Sequence, residues 1–385
     1  EKILICSAFL PPVRTGSGNN AYRFALFLSQ QGYPVTLLTV NRGRRYPSFE
    51  KKERMTIRRI AYWNRNLFTK LLSLFTILLP AYWLKVLQND LILVYGGNLI
   101  GWEFLLLFGR FFGKKVVFRS TLFGFDDAAS LAQDHLLGKF RKLALQSVDI
   151  YLAINKDFAH SWENVLGDDR KILVHPQGVD IFLFSPLVPH EKSKIRKALD
   201  LPEDRFLILS VGYLIHRKGY VSVFRALSRL PFPFLYVIVG DLSLPTGHHL
   251  SPLEQETMEL RKMGNELLQE KILFAGPSVH PENYYRAADL FILFSIQEGF
   301  PPNSVLEALA CGLPVITRDI DGSVTGTVLD EVIIREKDES GLQRAVTRIY
   351  EDSGLRMSLS EKARQSILAT ASYESLWNGI KNRLK

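Results

Sequence analysis

Four stretches carry residue types suited to a polar, negatively charged ligand. Ser295–Ile316, SIQEGFPPNSVLEALACGLPVI, holds Glu298 and Glu307 around a turn, Pro301-Pro302-Asn303-Ser304, that enters a helical pattern. The first N–H groups of a helix lack intrahelical partners and form the positive end of its dipole, so they suit a phosphate. GYLIHRKG brings Arg217 and Lys218 to the start of another helical pattern. VVFRSTLFGFDD ends in Asp126 and Asp127, and TGSG sets Gly16, Ser17 and Gly18 before the first helix. Each has a plainer reading. Ser304-x-x-Glu307 is also a capping box, which needs no ligand. The two aspartates either bind ligand hydroxyls or cap the helix after them, with equal claim. The glycine-bearing loop is also a simple turn.

These residues need a scaffold that presents them together. ILICSAFL, PVTLLTV, DLILVYG and KKVVFRS read as buried parallel strands, and NAYRFALFLSQQGY between the first two reads as a crossover helix ending at Gly32. VDIYLAIN and KILVHPQGV continue the series. After the polar PHEKSKIRKALDLPED it restarts with FLILSVGYL, FLYVIVGD, KILFAGP, LFILFS and LPVITRD. Two successive doubly wound α/β domains follow, residues 1–183 and 184–370, with a ligand cleft expected at the carboxyl ends of their strands. Lys218 and Glu307 then fall at strand-to-helix junctions, where such sheets bind nucleotides.

The chain has 385 residues, 47% hydrophobic and 23% charged, as in ordinary globular proteins. Cys6 and Cys311 form no CxxC and the eight histidines show no ligand spacing, so neither a metal site nor a disulfide framework is expected, and the compartment reads as reducing. KILICSAFL leads straight into a folded pattern rather than a cleavage site. The net charge of +9 is concentrated: Arg42–Lys70 holds ten basic residues against Glu50 and Glu53. Such a block is either a solvated basic loop or a surface for anionic lipid or nucleic acid. The apolar Leu67–Gln88 follows. Its uncharged core, Leu71–Leu84, is 14 residues long with Pro80 inside, too short to span a bilayer. It reads as a buried helix pair or an interfacial helix.

Four motifs in order, PPVRTGSGNNAYRFALFLSQQGYPVTLLT, PQGVDIFLFSP, SVGYLIHRKG and Ser295–Ile316, resemble the GT-B glycosyltransferases, specifically the retaining family 4 type. The resemblance implies two Rossmann-like domains, with residues 371–385 as a helix crossing back onto the first. It implies metal-independent transfer from a nucleoside diphosphate sugar, a UDP-sugar ahead of a GDP-sugar, with no cofactor beyond that substrate. Protein groups then stabilise the departing diphosphate. By resemblance Lys218, with Arg217, meets the diphosphate, Glu307 the ribose hydroxyls, and Glu298 the transferred sugar. Gly299 and Phe300 offer backbone N–H groups to that sugar, Pro301, Asn303 and Ser304 shape the helix start, and the main chain of Leu273–Tyr285, with Gly276, meets the base. Gly16, Ser17 and Gly18 line the phosphate and acceptor side.

Three departures stand out. Tyr213 occupies the usual arginine position, and Ser120-Thr121 stand where many relatives have a histidine beside the sugar, ahead of Asp126 and Asp127. Eight residues separate Glu298 from Glu307, one more than in the family pattern. The expected acceptor is a glycan or lipid-linked molecule, at an anionic membrane surface met through Arg42–Gln88, on the cytoplasmic side. The rivals are a nucleic-acid glucosyltransferase using the basic block and a non-catalytic scaffold of the same fold.

Overall fold

The computed structural model describes residues 1–13, 15–42, 46–62, 80–97, 99, 101–240, 251–320 and 326–385. The chain divides into two units, Glu1–Gly178 with Tyr373–Lys385, and Val179–Ser372.

The first unit opens with β1 (Ile3–Ser7), α1 (Gly16–Gln30), β2 (Val35–Arg42), β3 (Phe49–Lys52), β4 (Met55–Tyr62) and α2 (Pro80–Leu87). It continues through β5 (Leu91–Tyr95), α3 (Trp102–Phe111), β6 (Lys115–Arg119), α4 (Ala128–Ala132), α5 (Gly138–Gln146), β7 (Ile150–Ala153), α6 (Lys156–Leu166) and β8 (Ile172–Val174). The strands form one sheet, β3-β4-β2-β1-β5-β6-β7-β8, parallel throughout except the β3–β4 hairpin. Alternate residues face opposite sides. Leu4 and Cys6 enter one core while Ile3 and Ile5 enter the other. Both faces are therefore covered, which is why these strands read as unbroken apolar runs.

The second unit runs α7 (Pro189–Ala198), β9 (Phe206–Val211), α8 (Tyr220–Leu227), β10 (Phe234–Val239), α9 (Pro252–Leu268), β11 (Ile272–Gly276) and α10 (Pro281–Ala287). Then come β12 (Leu290–Leu293), α11 (Asn303–Ala310), β13 (Val315–Arg318), β14 (Ile333–Glu336), α12 (Glu339–Glu351) and α13 (Ser353–Thr370). Its sheet is wholly parallel, β11-β10-β9-β12-β13-β14. The winding reverses at β9/β12, and that switch point opens a crevice at the carboxyl ends of the two strands.

The last helix, α14 (Tyr373–Leu384), belongs to the first unit. Tyr373, Leu376, Trp377 and Ile380 join the core that α1 covers, and Tyr33 meets Trp377 edge-on at 5.1 Å. The crossings fall at Gly178–Val179 and Ser372–Tyr373 rather than at residues 184 and 371. Phe184 is already fully buried in the second core, and Val179 pairs with Ser372.

Where it is described, the basic block is sheet rather than loop. Its described part is the β3–β4 hairpin, and β4 pairs in parallel with β2 over its full length. Arg59 is buried, ion-paired with Glu50, and donates to the carbonyls of Pro47 and Pro11 at 3.1 Å each. Lys51, Lys52 and Arg54 at the hairpin turn are exposed. Arg44, Arg45, Arg65, Lys70 and the apolar residues 67–79 lie outside the described residues. Of the apolar segment only α2 is described, and its Trp83 packs on Phe108 of α3 at 4.1 Å. Among the described residues no helix is long and apolar enough to cross a membrane.

Candidate active site

At the β9/β12 switch point, β9 ends at Val211 and the chain turns through Gly212, Tyr213 and a 3₁₀ turn, His216–Lys218, into α8. Gly219 closes that turn at φ +72°. A Cβ there would lie 1.9 Å from the Phe294 carbonyl oxygen, so only glycine lets this turn sit against the end of β12. The Ile296 N–H donates to the Arg217 carbonyl at 2.8 Å and fastens the two strand ends together. A second close approach joins β9 to β10. A Cβ on Gly240 would lie 2.0 Å from the Gly212 carbonyl oxygen, and the Gly240 N–H donates to Gly276 at the end of β11.

This backbone brings three expected residues into contact. Lys218 Nζ forms a close ion pair with Glu298 Oε1, the two side chains 12% and 9% exposed. Arg217 Nη1 lies 3.4 Å from the same oxygen and donates to the Gln297 carbonyl at 2.6 Å. Ser295 Oγ donates to Glu298 Oε1 at 3.0 Å. A charge pair so little exposed is weakly screened, and leaving either member alone costs about 3–5 kcal/mol. The negative charge of Glu298 also helps push the buried Tyr220 hydroxyl well above its ordinary pKa, after burial itself. Chemically the cluster sets two cations against one carboxylate, leaving a net positive charge that an entering diphosphate can engage.

Glu307 stands on α11 and is buried. The capping box does not form: Pro302 is the N-cap, no side chain caps the helix, and Ser304 lies inside the first turn. Glu307 instead accepts a hydrogen bond from Tyr285 Oη at 2.9 Å on Oε2. Asn303 and Ser304 are half-buried at the helix start, while Gly299, Phe300 and Pro301 are buried. Phe300 packs into the core of this unit. Tyr213, half-buried, lies two residues beyond the end of β9, and Gly276 ends β11.

In the first unit the expectations change. Gly16, Ser17 and Gly18 are not a loop. They form the first turn of α1, capped by Thr15, whose side chain accepts from the Gly18 N–H at 3.1 Å. Asp126 and Asp127, the expected catalytic or ligand-binding pair, are both buried and held by local hydrogen bonds. Asp126 is fully buried and accepts from the Thr121 and Leu122 N–H groups at 2.7 and 2.8 Å and from the Thr121 hydroxyl at 2.6 Å. Burial pushes its carboxyl above the usual range despite those bonds. Asp127 caps α4. Burial raises its pKa too, but the hydroxyls of Ser130 and Ser161 and the N–H groups of Ser130 and Gly124 outweigh that and hold it below the usual value. Burial also pushes the Cys311 thiol up to about 12, which makes it a poor nucleophile. Among the described residues no three of His, Cys, Asp or Glu converge on a metal-sized site.

Sequence reasoning missed Tyr285 and Ser295. Ser295 lies in the stretch that drew attention, three residues before the glutamate it holds. Tyr285 carries no local signal, because it reaches Glu307 by helix packing across 22 positions.

Residues 191–366 match the family model of glycosyl transferases group 1. A putative teichuronic acid biosynthesis glycosyltransferase, TuaC of Bacillus subtilis (strain 168), is 31% identical over 209 residues, 54% of this chain and 48% of that protein. The UDP-Gal:alpha-D-GlcNAc-diphosphoundecaprenol alpha-1,3-galactosyltransferase of Escherichia coli is 30% identical over 52% of this chain and 50% of its own length. The chain thus spans about half the length of the curated relatives it matches. Among solved structures, sucrose-phosphate synthase from Thermosynechococcus elongatus superposes with a TM-score of 0.76 at 20% identity, covering 100% of this chain and 98% of that one. The architecture is therefore GT-B, and residues 191–366 are similar to the group 1 glycosyl transferases.

Proposed function

We propose that this protein is a glycosyltransferase that moves a sugar from a nucleoside diphosphate sugar to a glycan or lipid-linked acceptor. The observation that carries the reading is the Lys218–Glu298–Arg217 cluster at the β9/β12 switch point, inside the family-matched residues. The donor diphosphate meets Lys218 and Arg217, Glu307 takes the ribose hydroxyls, and Glu298 is released toward the transferred sugar. As the glycosidic bond breaks, negative charge grows on the leaving diphosphate. Cations already in place stabilise that charge without reorganising. Transfer with retention, by front-face attack aided by the leaving diphosphate, fits a site whose cations stand ready to meet the leaving group. A UDP-sugar is the favoured donor, as in the name of the Escherichia coli relative, whose acceptor is a diphosphoundecaprenol-linked sugar. A membrane-linked acceptor here suits the exposed cations of the β3–β4 hairpin.

A thermal-shift panel of UDP, GDP and ADP tests the reading. A ligand at a hundred times its Kd adds about 2.7 kcal/mol of stability, so at least one should raise the melting point clearly. Addition of a matching nucleotide sugar should then release nucleoside diphosphate. No shift with any of the three at millimolar concentration, or no turnover with any sugar of the one that binds, sinks the proposal.

A further inference from the structure

The side chain of Tyr285 has no role in the site as read from sequence, yet its hydroxyl donates to the carboxylate that the proposed function assigns to the ribose. Its side chain is fully buried on α10, and its ring packs between Phe184 and Phe291, each 5.7 Å away between centroids. That packing fixes where the hydroxyl points. The hydroxyl donates to Glu307 Oε2 at 2.9 Å. The acceptor stands on a different helix, α11, so the bond sets the direction of the carboxylate rather than the stability of one local turn. A carboxylate offers about four lone-pair positions over its two oxygens, so one phenol does not exhaust it. A phenol held in an apolar core leaves the carboxylate one preferred orientation toward a vicinal diol. Hydrogen bonds to paired hydroxyls demand such orientation, since they weaken steeply off line.

We infer that Tyr285 is a positioning residue that aims Glu307 at the ribose of the donor and so sets the discrimination between ribo- and deoxyribonucleotides. The inference rests on the proposed role of Glu307. A site whose buried polar groups are arranged for substrate hydroxyls rejects the analogue lacking them, because those groups then stay unpaired. Removing the aiming bond should lower affinity for the hydroxyl-bearing ligand and leave the deoxy analogue nearly unaffected.

Tyr285→Phe deletes the hydroxyl and keeps the ring among Phe184 and Phe291. Isothermal titration calorimetry would compare wild type, Tyr285→Phe and Glu307→Gln. The probes are whichever of UDP, GDP and ADP binds tightest and its 2′,3′-dideoxy analogue. In Tyr285→Phe the ribonucleotide Kd should rise about tenfold while the dideoxy Kd stays within about twofold, and in turnover the donor KM should rise with kcat held. A purely structural tyrosine would lower the melting temperature and leave the ribo-to-dideoxy ratio at the wild-type value. That result, with Glu307→Gln still losing the ratio, overturns the inference alone. If Glu307→Gln also keeps the ratio, or if none of the three nucleotides binds wild type, the ribose assignment fails first and this inference with it.

Discussion

Lys218 and Glu307 hold their ligands at different moments of the proposed reaction. Lys218 faces charge that grows as the bond breaks, so Lys218→Ala should lower kcat by roughly 10²–10³, as loss of a charge-stabilising donor does. The same change leaves Glu298 with Arg217 at 3.4 Å and the Ser295 hydroxyl at 3.0 Å in place of its close ion pair, so a melting curve must accompany the kinetics. The double variant Lys218→Ala/Glu298→Gln removes that stray charge and should recover stability without recovering rate. Wild-type kcat in folded Lys218→Ala protein would refute the assignment. Glu307 meets ribose equally in the ground and transition states, so Glu307→Gln should raise donor KM and spare kcat. No helix-capping penalty complicates that variant, because Pro302 caps α11. Asp127 belongs to the structure instead. Asp127→Ala removes the cap of α4 and a buried acceptor for Ser161, and should cost about 1–3 kcal/mol in denaturant melts. Weakened nucleoside diphosphate binding in that variant, with stability kept, would return Asp127 to the ligand site.

The β3–β4 hairpin carries the membrane question at the scale of an element. Within the basic block Arg59 is buried against Glu50, and reversing its charge would disturb the sheet before it tested any surface. Lys51 and Lys52 are exposed and sit at the turn. Lys51→Glu/Lys52→Glu should lower flotation with anionic liposomes, by about 1 kcal/mol per cation near the surface, and leave nucleotide binding unchanged. Wild-type protein that ignores such vesicles at low salt would end the idea. The hairpin also shows where sequence reading stops. β1, β5, β9 and β10 were legible because strands covered on both faces are apolar throughout. β4 holds Arg58-Arg59 in its middle, and nothing local reveals that Glu50 across the hairpin neutralises one of them. β14, Ile333–Glu336, is too short and half-polar to stand out. In the site, Lys218 and Glu298 were legible as chemistry but not as a pair. Their contact spans 80 positions and depends on Gly219 passing under Phe294.

At the scale of the whole chain, the first unit is built from two distant segments, and one half-buried histidine bridges them. His175 lies just before the chain leaves this unit, and Ser375 just after it returns. His175 Nδ1 faces the Pro176 carbonyl at 2.6 Å and Nε2 faces the Ser375 hydroxyl at 3.0 Å, across 200 positions of sequence. With Nδ1 donating to the carbonyl, the neutral ring accepts from the serine through Nε2. Burial pulls the pKa down to about 4; the Pro176 carbonyl opposes that, and Arg119 adds to it. The folded chain therefore prefers neutral His175, while the unfolded chain protonates it near pH 6.5. Below pH 6.5 the unfolded state binds more protons, so stability is complete above that pH, falls as the pH drops toward 4, and levels off beneath. The window amounts to about 3 kcal/mol. None of the five tryptophans falls in the second unit, Val179–Ser372, and Trp83, Trp102, Trp162 and Trp377 lie in the first, so tryptophan fluorescence follows the unfolding of the first unit. Denaturant melts between pH 7 and 4 should show that loss in wild type. His175→Gln, which keeps polar atoms but cannot titrate, should remove most of the slope in the same range. The carboxylates, including Asp126 with its opposing shift, are common to both proteins and cancel in the difference. An unchanged slope in His175→Gln would mean that another group governs the acid sensitivity of this unit.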